Sequence, residues 1–280
     1  MIIDFHTHIF PPEVREQREE FVRRDPTFAE MYADPQARIA TAEDLSASME
    51  AAGVDVSVAL GFAWREQEVI ARHNDYLLQS ADQSDGRIVP FCTINMAADA
   101  TFVAKEVERC AAGGAGGLGE LRPENQGWEL NGEAGERLAE LAAEYDLLLL
   151  FHVTEPGGHE YPGKEGLALG AFYRFQLEHP ELRIVGAHLG GGLPMNAPEG
   201  QVPVIARHVY FDTAAQPYLY EAAVCARLAD GPFAANLLLG SDFPLLSQKR
   251  QLTVLRTALQ DDDTRAAVMG GNAARLLGLL

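Results

Sequence analysis

Residues 1–13 read MIIDFHTHIFPPE, an apolar run that ends in two histidines, His6 and His8, one residue apart. In a strand, side chains at positions i and i+2 project to the same face, so both imidazoles would point to one side. This spacing suits one metal ion, although two polar residues at a strand end would produce it as well. The run continues into HIFPPE and lacks the glycine-rich phosphate loop of a doubly wound sheet, which favours a barrel.

Further apolar runs follow along the chain, and segments with helical periodicity lie between them. The runs are rich in Val, Ile and Leu and nearly continuous, as expected of strands that are covered on both faces. They span 54–62, 87–95, 114–121, 147–154, 183–190, 209–215 and 236–244. With the first run they make eight strand–helix units. The pattern predicts a single α/β domain over residues 1–280, a (β/α)8 TIM barrel, with the doubly wound open sheet as the second choice.

The connection over residues 9–53 is unusually long for a minimal barrel. Its last part, TAEDLSASMEAAG, predicts a helix with Thr41 as N-cap and Gly53 as the stop. We expect an extra helical element over about 13–32 to lie over the barrel mouth, because long loops of this kind often act as lids.

Composition limits the partners of this chain. Its formal net charge is −19, from 41 Asp and Glu against 22 Lys and Arg, which disfavours binding to nucleic acid. No apolar run approaches the roughly 20 residues of a membrane helix, and the first residues lack the basic region of a signal peptide, so we expect a cytoplasmic protein. Three scattered cysteines, Cys92, Cys110 and Cys225, suggest reduced thiols.

Five of the eight apolar runs end in an ionisable side chain. Each of these residues alone has an ordinary structural explanation: His152 could be a core histidine, and Asp242 could be a turn residue. Their shared position argues otherwise, because the carboxyl ends of barrel strands meet at the active-site face. A buried imidazole or carboxylate is also costly unless it is paired or binds a metal. The residues are His6, His8, Glu120, His152, His188 and Asp242.

Imidazole and carboxylate ligands suit zinc and its first-row neighbours, and they leave positions open for water. In this hypothesis Asp242 is the general base for a metal-activated water, and His188 stabilises the developing oxyanion or acts as an acid.

Six segments of the chain resemble the amidohydrolase superfamily, and in particular its amidohydrolase-related branch, which includes aminocarboxymuconate semialdehyde decarboxylase. They are DFHTHIFPPE, LLFHVTEP, RIVGAHLGGGLP, YFDTAA, LLGSDFP and GNAARLLGL. The resemblance implies metal ligation by His6, His8, His152 and Asp242, and a catalytic role for His188. Members of the branch are hydrolases, non-oxidative decarboxylases and a few hydratases. They are often dimers, so a homodimer is an expectation for this chain.

Glu120 departs from the one-metal pattern, because decarboxylases of the branch typically lack an acid at the end of strand four. A carboxylate there resembles the bridging ligand of binuclear relatives. If Glu120 bridges, His188 becomes a ligand of a second ion. We favour one ion, zinc before other divalent metals, with Glu120 at or near it, and keep two ions as the alternative.

The substrate side of the site is less marked in the sequence. Arg122 follows Glu120 by two residues and is the best candidate for binding an anionic group. In the loop after strand five, Tyr161 is a second candidate, whereas His159 and Lys164 are better explained as solvated. Trp64 could line the pocket or pack the lid.

The leading functional hypothesis is hydrolysis of a small anionic ester, lactone or amide, because an extra anion at Glu120 would help a departing carboxylate little. The alternative is non-oxidative decarboxylation of an unsaturated or aromatic acid at the same site. A barrel that binds its ligand without catalysis is a third hypothesis. The complete set of ligands, base and His188 argues against it.

Overall fold

The computed structural model describes residues 1–153, 162–221 and 223–280. Within these residues eight parallel strands form one sheet, in the order of the chain. The strands are β1 (Ile3–His8), β2 (Val56–Leu60), β3 (Ile88–Cys92), β4 (Gly117–Leu121), β5 (Leu148–Phe151), β6 (Ile184–Gly186), β7 (Val209–Asp212) and β8 (Leu237–Leu238). The amide of Phe5 donates to the Leu239 carbonyl, and the amide of His8 to the Phe243 carbonyl, both at 2.7 Å. These bonds join β1 to the segment after β8, and the predicted (β/α)8 barrel is confirmed.

Helices connect the strands and cover the outside of the barrel. They are α1 (Pro12–Glu16), α2 (Arg18–Arg24), α3 (Pro26–Tyr32), α4 (Ala42–Ala52), α5 (Gln67–Asp82), α6 (Ala100–Ala112), α7 (Pro123–Gln126), α8 (Glu133–Glu144), α9 (Leu169–Glu178), α10 (Ala187–Gly190), α11 (Leu193–Asn196), α12 (Val202–Ile205), α13 (Gln216–Leu219), α14 (Ala223–Ala229), α15 (Gln248–Ala258), α16 (Asp262–Ala266) and α17 (Asn272–Leu276). Short 3₁₀ turns lie at Glu199–Gln201 and Ala234–Asn236, and a π-helical turn at Ala267–Gly271. No described helix has the length and apolar character needed to cross a membrane.

The boundaries of α4 follow from its sequence. Thr41 and Asp44 form a capping box at its start, in which each side chain accepts a hydrogen bond from the other residue's backbone amide. Gly53 ends the helix with φ of 73°, a left-handed conformation that glycine adopts without steric cost. Leu45 and Met49 lie one turn apart and are buried against the barrel. The helix predicted for this segment is therefore present.

Residues 12–32 form the three short helices α1, α2 and α3, in the stretch for which the sequence predicts an extra helical element. They pack through one apolar cluster, here called the insertion cluster. Its buried members are Phe10, Val14, Phe21, Phe28, Tyr32, Ile39, Phe62, Trp64, Val69 and Ile70. The rings of Phe28 and Trp64 stack with centroids 5.1 Å apart. Of the two roles considered for Trp64, the structure shows packing of the insertion.

A buried histidine ties this cluster to the end of β1. The indole nitrogen of Trp64 donates to Nδ1 of His73 at 2.8 Å, and Nε2 of His73 lies 2.8 Å from the Ile9 carbonyl. Nε2 must be the donor there, because a carbonyl only accepts. Burial lowers the pKa of His73 to about 4, so the ring is neutral in the folded protein at neutral pH.

This histidine predicts a loss of stability in mild acid. His73 has a pKa of about 4 in the folded chain, against the ordinary value of 6.5 for histidine. Between these values the unfolded chain binds the extra proton, so the free energy of unfolding falls as pH decreases through that window. The full window corresponds to about 3 kcal/mol. Urea unfolding at pH 6.5 and pH 4.5 measures the decrease, and a His73→Gln variant should show a smaller one. Equal pH slopes in the parent and the variant would rule out His73 as the cause.

Candidate metal centre

The ionisable residues predicted at the strand ends meet at the carboxyl end of the barrel. His6 and His8 lie in the last three residues of β1, and Glu120 is the next-to-last residue of β4. His152 follows β5 directly. His188 and Asp242 lie on the segments just after β6 and β8. All six side chains are buried or nearly so.

Four of these side chains converge around the histidines of β1. Nε2 of His6 lies 3.1 Å from Nε2 of His8, and each is 3.6 Å from Oδ1 of Asp242. Oε2 of Glu120 is 3.6 Å from Nε2 of His8. Two imidazole nitrogens and two carboxylate oxygens at these separations are a donor set that suits a first-row divalent ion.

Glu120 also faces His152. Nε2 of His152 lies 3.1 Å from the Lys164 carbonyl and must donate to it. Its other nitrogen, Nδ1, is 2.9 Å from Oε1 of Glu120. A neutral imidazole in this tautomer would place two acceptors in contact, so a proton or a metal ion has to lie between them. The carbonyl of Lys164 thus orients His152, as second-shell acceptors orient metal-binding histidines.

Three groups of side chains bring their donor atoms within 4.8 Å of one another among the described residues. They are His6, His8 and Glu120; His6, His188 and Asp242; and Glu120, His152 and His188. Of the four residues expected as the ligand set, His6, His8 and Asp242 lie together, and His152 is grouped with Glu120 and His188. Glu120 connects the two sides of the site.

The charges of the site favour a cation. Burial opposes a charge on His6, but Asp212, Glu120 and Asp242 outweigh it and raise the pKa of His6 to about 10. Burial and the neighbouring His6 lower the pKa of His8 to about 3. Burial also disfavours ionised Glu120, yet the neighbouring histidines hold the pKa of its carboxyl well below the usual range. The chain alone keeps a proton on His6, which a divalent ion would replace.

The pKa shifts of Asp242 and His188 favour the uncharged form of each side chain. Burial raises the pKa of Asp242 to about 7, and the carboxylates of Glu120 and Asp212 add to this rise against the effect of His6. Burial and His152 hold the pKa of His188 well below 6.5. Nε2 of His188 lies 3.9 Å from Oδ2 of Asp242, so the two groups are close enough to share a reacting molecule.

Asp212, at the end of β7, is a site residue that the sequence analysis did not single out. Its Oδ2 lies 2.9 Å from Nδ1 of His6, and its Oδ1 accepts from the backbone amide of His188 at 3.0 Å. The carboxylate therefore fixes the ring of His6 with Nε2 toward the site, and it also fixes the backbone at His188. Asp212 ends its apolar run in the same way as the residues that were recognised, so the signal was present in VYFD.

We expect Asp212→Asn to weaken metal binding by about 10- to 100-fold while the protein remains folded, because the amide keeps the size of the carboxylate but not its charge. Calorimetric titration of the metal-free protein with manganese measures the change in affinity. Asp146→Asn, a change at an exposed residue, is the matched control. Unchanged affinity in Asp212→Asn would show that His6 is oriented by other means.

Asp4 performs a similar task for Asp242. Its Oδ1 accepts from the amide of Ser241 at 2.9 Å, and its Oδ2 accepts from the hydroxyl of Ser241 and from Nε2 of Gln248. The amide of Asp242 in turn donates to the His6 carbonyl at 2.9 Å. These bonds hold Asp242 at φ of 60°, and His188 has φ of 57°. Non-glycine residues rarely adopt this region, and where they do the surroundings must enforce it, often at functional sites.

The convergent donors form the floor of a cavity of about 100 Å³, which has room for a small molecule. The insertion contributes part of its wall, and the segments after β5 and β8 contribute the rest. The lining residues are His8, Met31, Tyr32, Ala37, Arg38, Glu120, His152, Pro162, Gly163, His188, Asp242, Pro244 and Leu245.

The structure does not place Arg122 on this cavity. Its guanidinium is buried and donates to the carbonyls of Gly163 and Glu165, so it anchors the loop after β5. The expectation that Arg122 shares a face with Glu120 fails because β4 ends at Leu121 and the strand alternation stops there. Tyr161, the other predicted substrate-binding residue, and His159 lie outside the described residues.

Comparison with known proteins identifies relatives along the whole chain. A family model described as amidohydrolase matches residues 3–279. No curated protein matches the sequence.

Solved structures with similar folds include several decarboxylases. The 5-carboxyvanillate decarboxylase of Sphingomonas paucimobilis is 19% identical, with a TM-score of 0.78 over 99% of this chain and 98% of its own. A 2,6-dihydroxybenzoate decarboxylase in complex with 2,6-dihydroxybenzoate is 16% identical, with a TM-score of 0.74 over 99% of both chains. The dihydroxybenzoic acid decarboxylase of Polaromonas sp. JS666, with bound manganese and 2-nitroresorcinol, is 18% identical, with a TM-score of 0.73 over 99% and 97% of the two chains.

These relatives contradict the leading hypothesis from the sequence. Hydrolysis of an ester, lactone or amide was the wrong choice, since the similar structures are decarboxylases of aromatic acids. The choice rested on Glu120 as an extra anion beside the departing carboxylate. In the structure Glu120 is 2.9 Å from His152, and the neighbouring histidines compensate its negative charge, so that objection does not apply.

Proposed function

This chain belongs to the amidohydrolase family, and we propose that it is a metal-dependent, non-oxidative decarboxylase of a small aromatic acid. The observation that supports this most is the likeness, over 99% of the chain, to a decarboxylase that acts on an aromatic acid. The cavity adds to it, because apolar and aromatic side chains surround the cluster of donor atoms.

The metal would be held by the side chains that converge at the strand ends. We assign His6, His8, Glu120 and Asp242 to it. His152 lies beside Glu120, and His188 lies near both Glu120 and Asp242. Each pair of the three donor groups shares one residue, so filling one group draws ligands from the other two. We therefore propose one divalent ion per chain. Metal analysis of the purified protein decides between one ion and two, and between zinc and the manganese found in a relative.

A divalent ion held by these residues would supply positive charge for the oxygen atoms of the acid and for the electron pair left behind when CO2 departs. The chain supplies position. Met31, Tyr32 and Leu245 line the cavity and hold the ring of the substrate over the donor cluster.

The reaction exchanges one carbon–carbon bond for one carbon–hydrogen bond. The bond between the ring carbon and the carboxylate breaks, and its electron pair stays on the ring carbon while CO2 leaves. That carbon then takes one proton. We assign the proton to Oδ2 of Asp242, because this oxygen faces His188 and the cavity while Oδ1 faces His6 and His8. Net uptake of one proton from solvent in each turnover would restore the proton on Asp242.

The test is a screen of hydroxylated benzoic acids with CO2 release as the readout. The protein is first stripped with a chelator and then assayed with and without added manganese or zinc. The proposal predicts release of CO2 with at least one acid and only after metal is restored. Absence of CO2 from all acids, together with metal-dependent cleavage of a lactone or ester, would contradict it.

A further inference from the structure

The cavity has one feature that the metal centre does not use. Among the described residues that line it, Arg38 is the one Lys or Arg side chain. It lies on the connection between α3 and α4, next to Ala37 and across from Pro244 and Leu245, which also line the cavity. Its side chain is exposed, and the metal-binding residues lie deeper in the barrel.

Arg38 differs from the other arginines of the insertion in its contacts. Arg15 forms an ion pair with Asp44 at 2.7 Å, and Arg24 pairs with Glu66 at 2.6 Å. Arg18 donates to the carbonyls of Asp34 and Ala37. Within the part of the chain that the structure describes, the side chain of Arg38 makes no hydrogen bond or ion pair. The chain carries 41 acidic residues against 22 basic ones, so a guanidinium at a cavity that pairs with none of the described acidic residues is unusual.

A second, wider groove adjoins the cavity at Arg38. Arg38, Ala37 and Pro244 line both, and the groove has a volume of about 660 Å³. Arg38 lines the same cavity as Glu120 and Asp242, so one molecule can contact the donor cluster at one end and Arg38 at the other. The wall between the two ends is apolar, with Met31, Pro162 and Leu245 along it.

We propose that Arg38 binds a second carboxylate of the substrate, so that the substrate is an aromatic dicarboxylate. This inference rests on the proposed function, in which the first carboxylate lies at the metal centre. A guanidinium pairs with a carboxylate through two parallel N–H···O bonds, which fixes its orientation as well as its charge. Arg38 supplies a positive charge at the outer end of the cavity, away from the metal centre. A monocarboxylate gains nothing from Arg38.

The experiment compares the binding of isophthalate and benzoate to the full-length, manganese-loaded protein by calorimetry. The variants are Arg38→Met, Arg38→Lys and, as a matched control, Arg23→Met, whose exposed side chain lies on α2 beside Glu19. We expect the parent to bind isophthalate more tightly than benzoate. Arg38→Met should weaken isophthalate about 10- to 100-fold and leave benzoate unchanged, because a charge-assisted pair is lost. Arg38→Lys should recover part of the loss, and Arg23→Met should match the parent.

Equal or undetectable binding of the two acids by the parent would overturn the assignment of Arg38. An equal loss for both acids in Arg38→Met would do so too. Because the readout is binding, it separates the two proposals. A preference for isophthalate that depends on Arg38 supports the carboxylate-binding role of Arg38 even if no CO2 is released. CO2 release without that preference supports the proposed decarboxylation and refutes the role of Arg38.

Discussion

Replacement of His6 by alanine is expected to remove both the metal and the activity. His6 belongs to two of the three donor groups, and its Nε2 lies 3.1 Å from His8 and 3.6 Å from Asp242. The alanine also leaves Asp212 buried without the imidazole that it now contacts. Since the charge of a catalytic metal contributes several kcal/mol to the transition state, we expect decarboxylation to fall by about 10³-fold or more.

Metal content per chain and CO2 release, measured on the same preparation, check this result. His179→Ala is the matched control, because its ring lies beside Glu136 and Glu181 and not at the strand ends. Circular dichroism shows whether the variant is folded. A folded His6→Ala protein that keeps its metal and its activity would refute the assignment of the metal centre.

Asp242→Asn is expected to separate metal binding from proton transfer. The amide keeps one oxygen for the metal and nearly the same volume, but it cannot carry the proton assigned to Oδ2. Proton transfer by a positioned group contributes about 10²- to 10⁴-fold, so we expect kcat to fall by that factor. Metal content should fall much less than in His6→Ala, because His6, His8 and Glu120 still converge.

The measurement pairs kcat for CO2 release with metal analysis of the variant. A kcat close to that of the parent would mean that another group delivers the proton. His188 is a candidate, because its Nε2 lies 3.9 Å from Oδ2. Loss of the metal together with the activity would leave Asp242 as a ligand only and contradict its second role.

The sequence predicted the barrel and the strand-end cluster because both depend on short-range patterns. Apolar runs set the strands, and parallel strands bring their carboxyl ends together whatever the details of packing. Asp212 fits the same strand-end pattern, although the sequence analysis did not single it out. It ends β7 as Asp242 follows β8, and its contact with His6 spans 206 residues of sequence.

Arg122 and Arg38 show where such patterns fail. Alternation of side chains holds only while the strand continues, and β4 ends one residue before Arg122. The guanidinium consequently meets the loop at Gly163 and not the cavity. Arg38 lies in a connection without periodicity, and whether an arginine is paired depends on the tertiary packing of the insertion. Neither position could be assigned from the order of residues.

One measurement tests the central claim most directly: proton NMR of the product formed in D2O from an accepted aromatic acid by the metal-loaded protein. Decarboxylation predicts one deuterium per product molecule at the ring carbon that carried the carboxylate, with none formed by His6→Ala or by the metal-free protein. A product that retains every carboxylate carbon of the substrate, or one that forms equally without metal, would contradict the account.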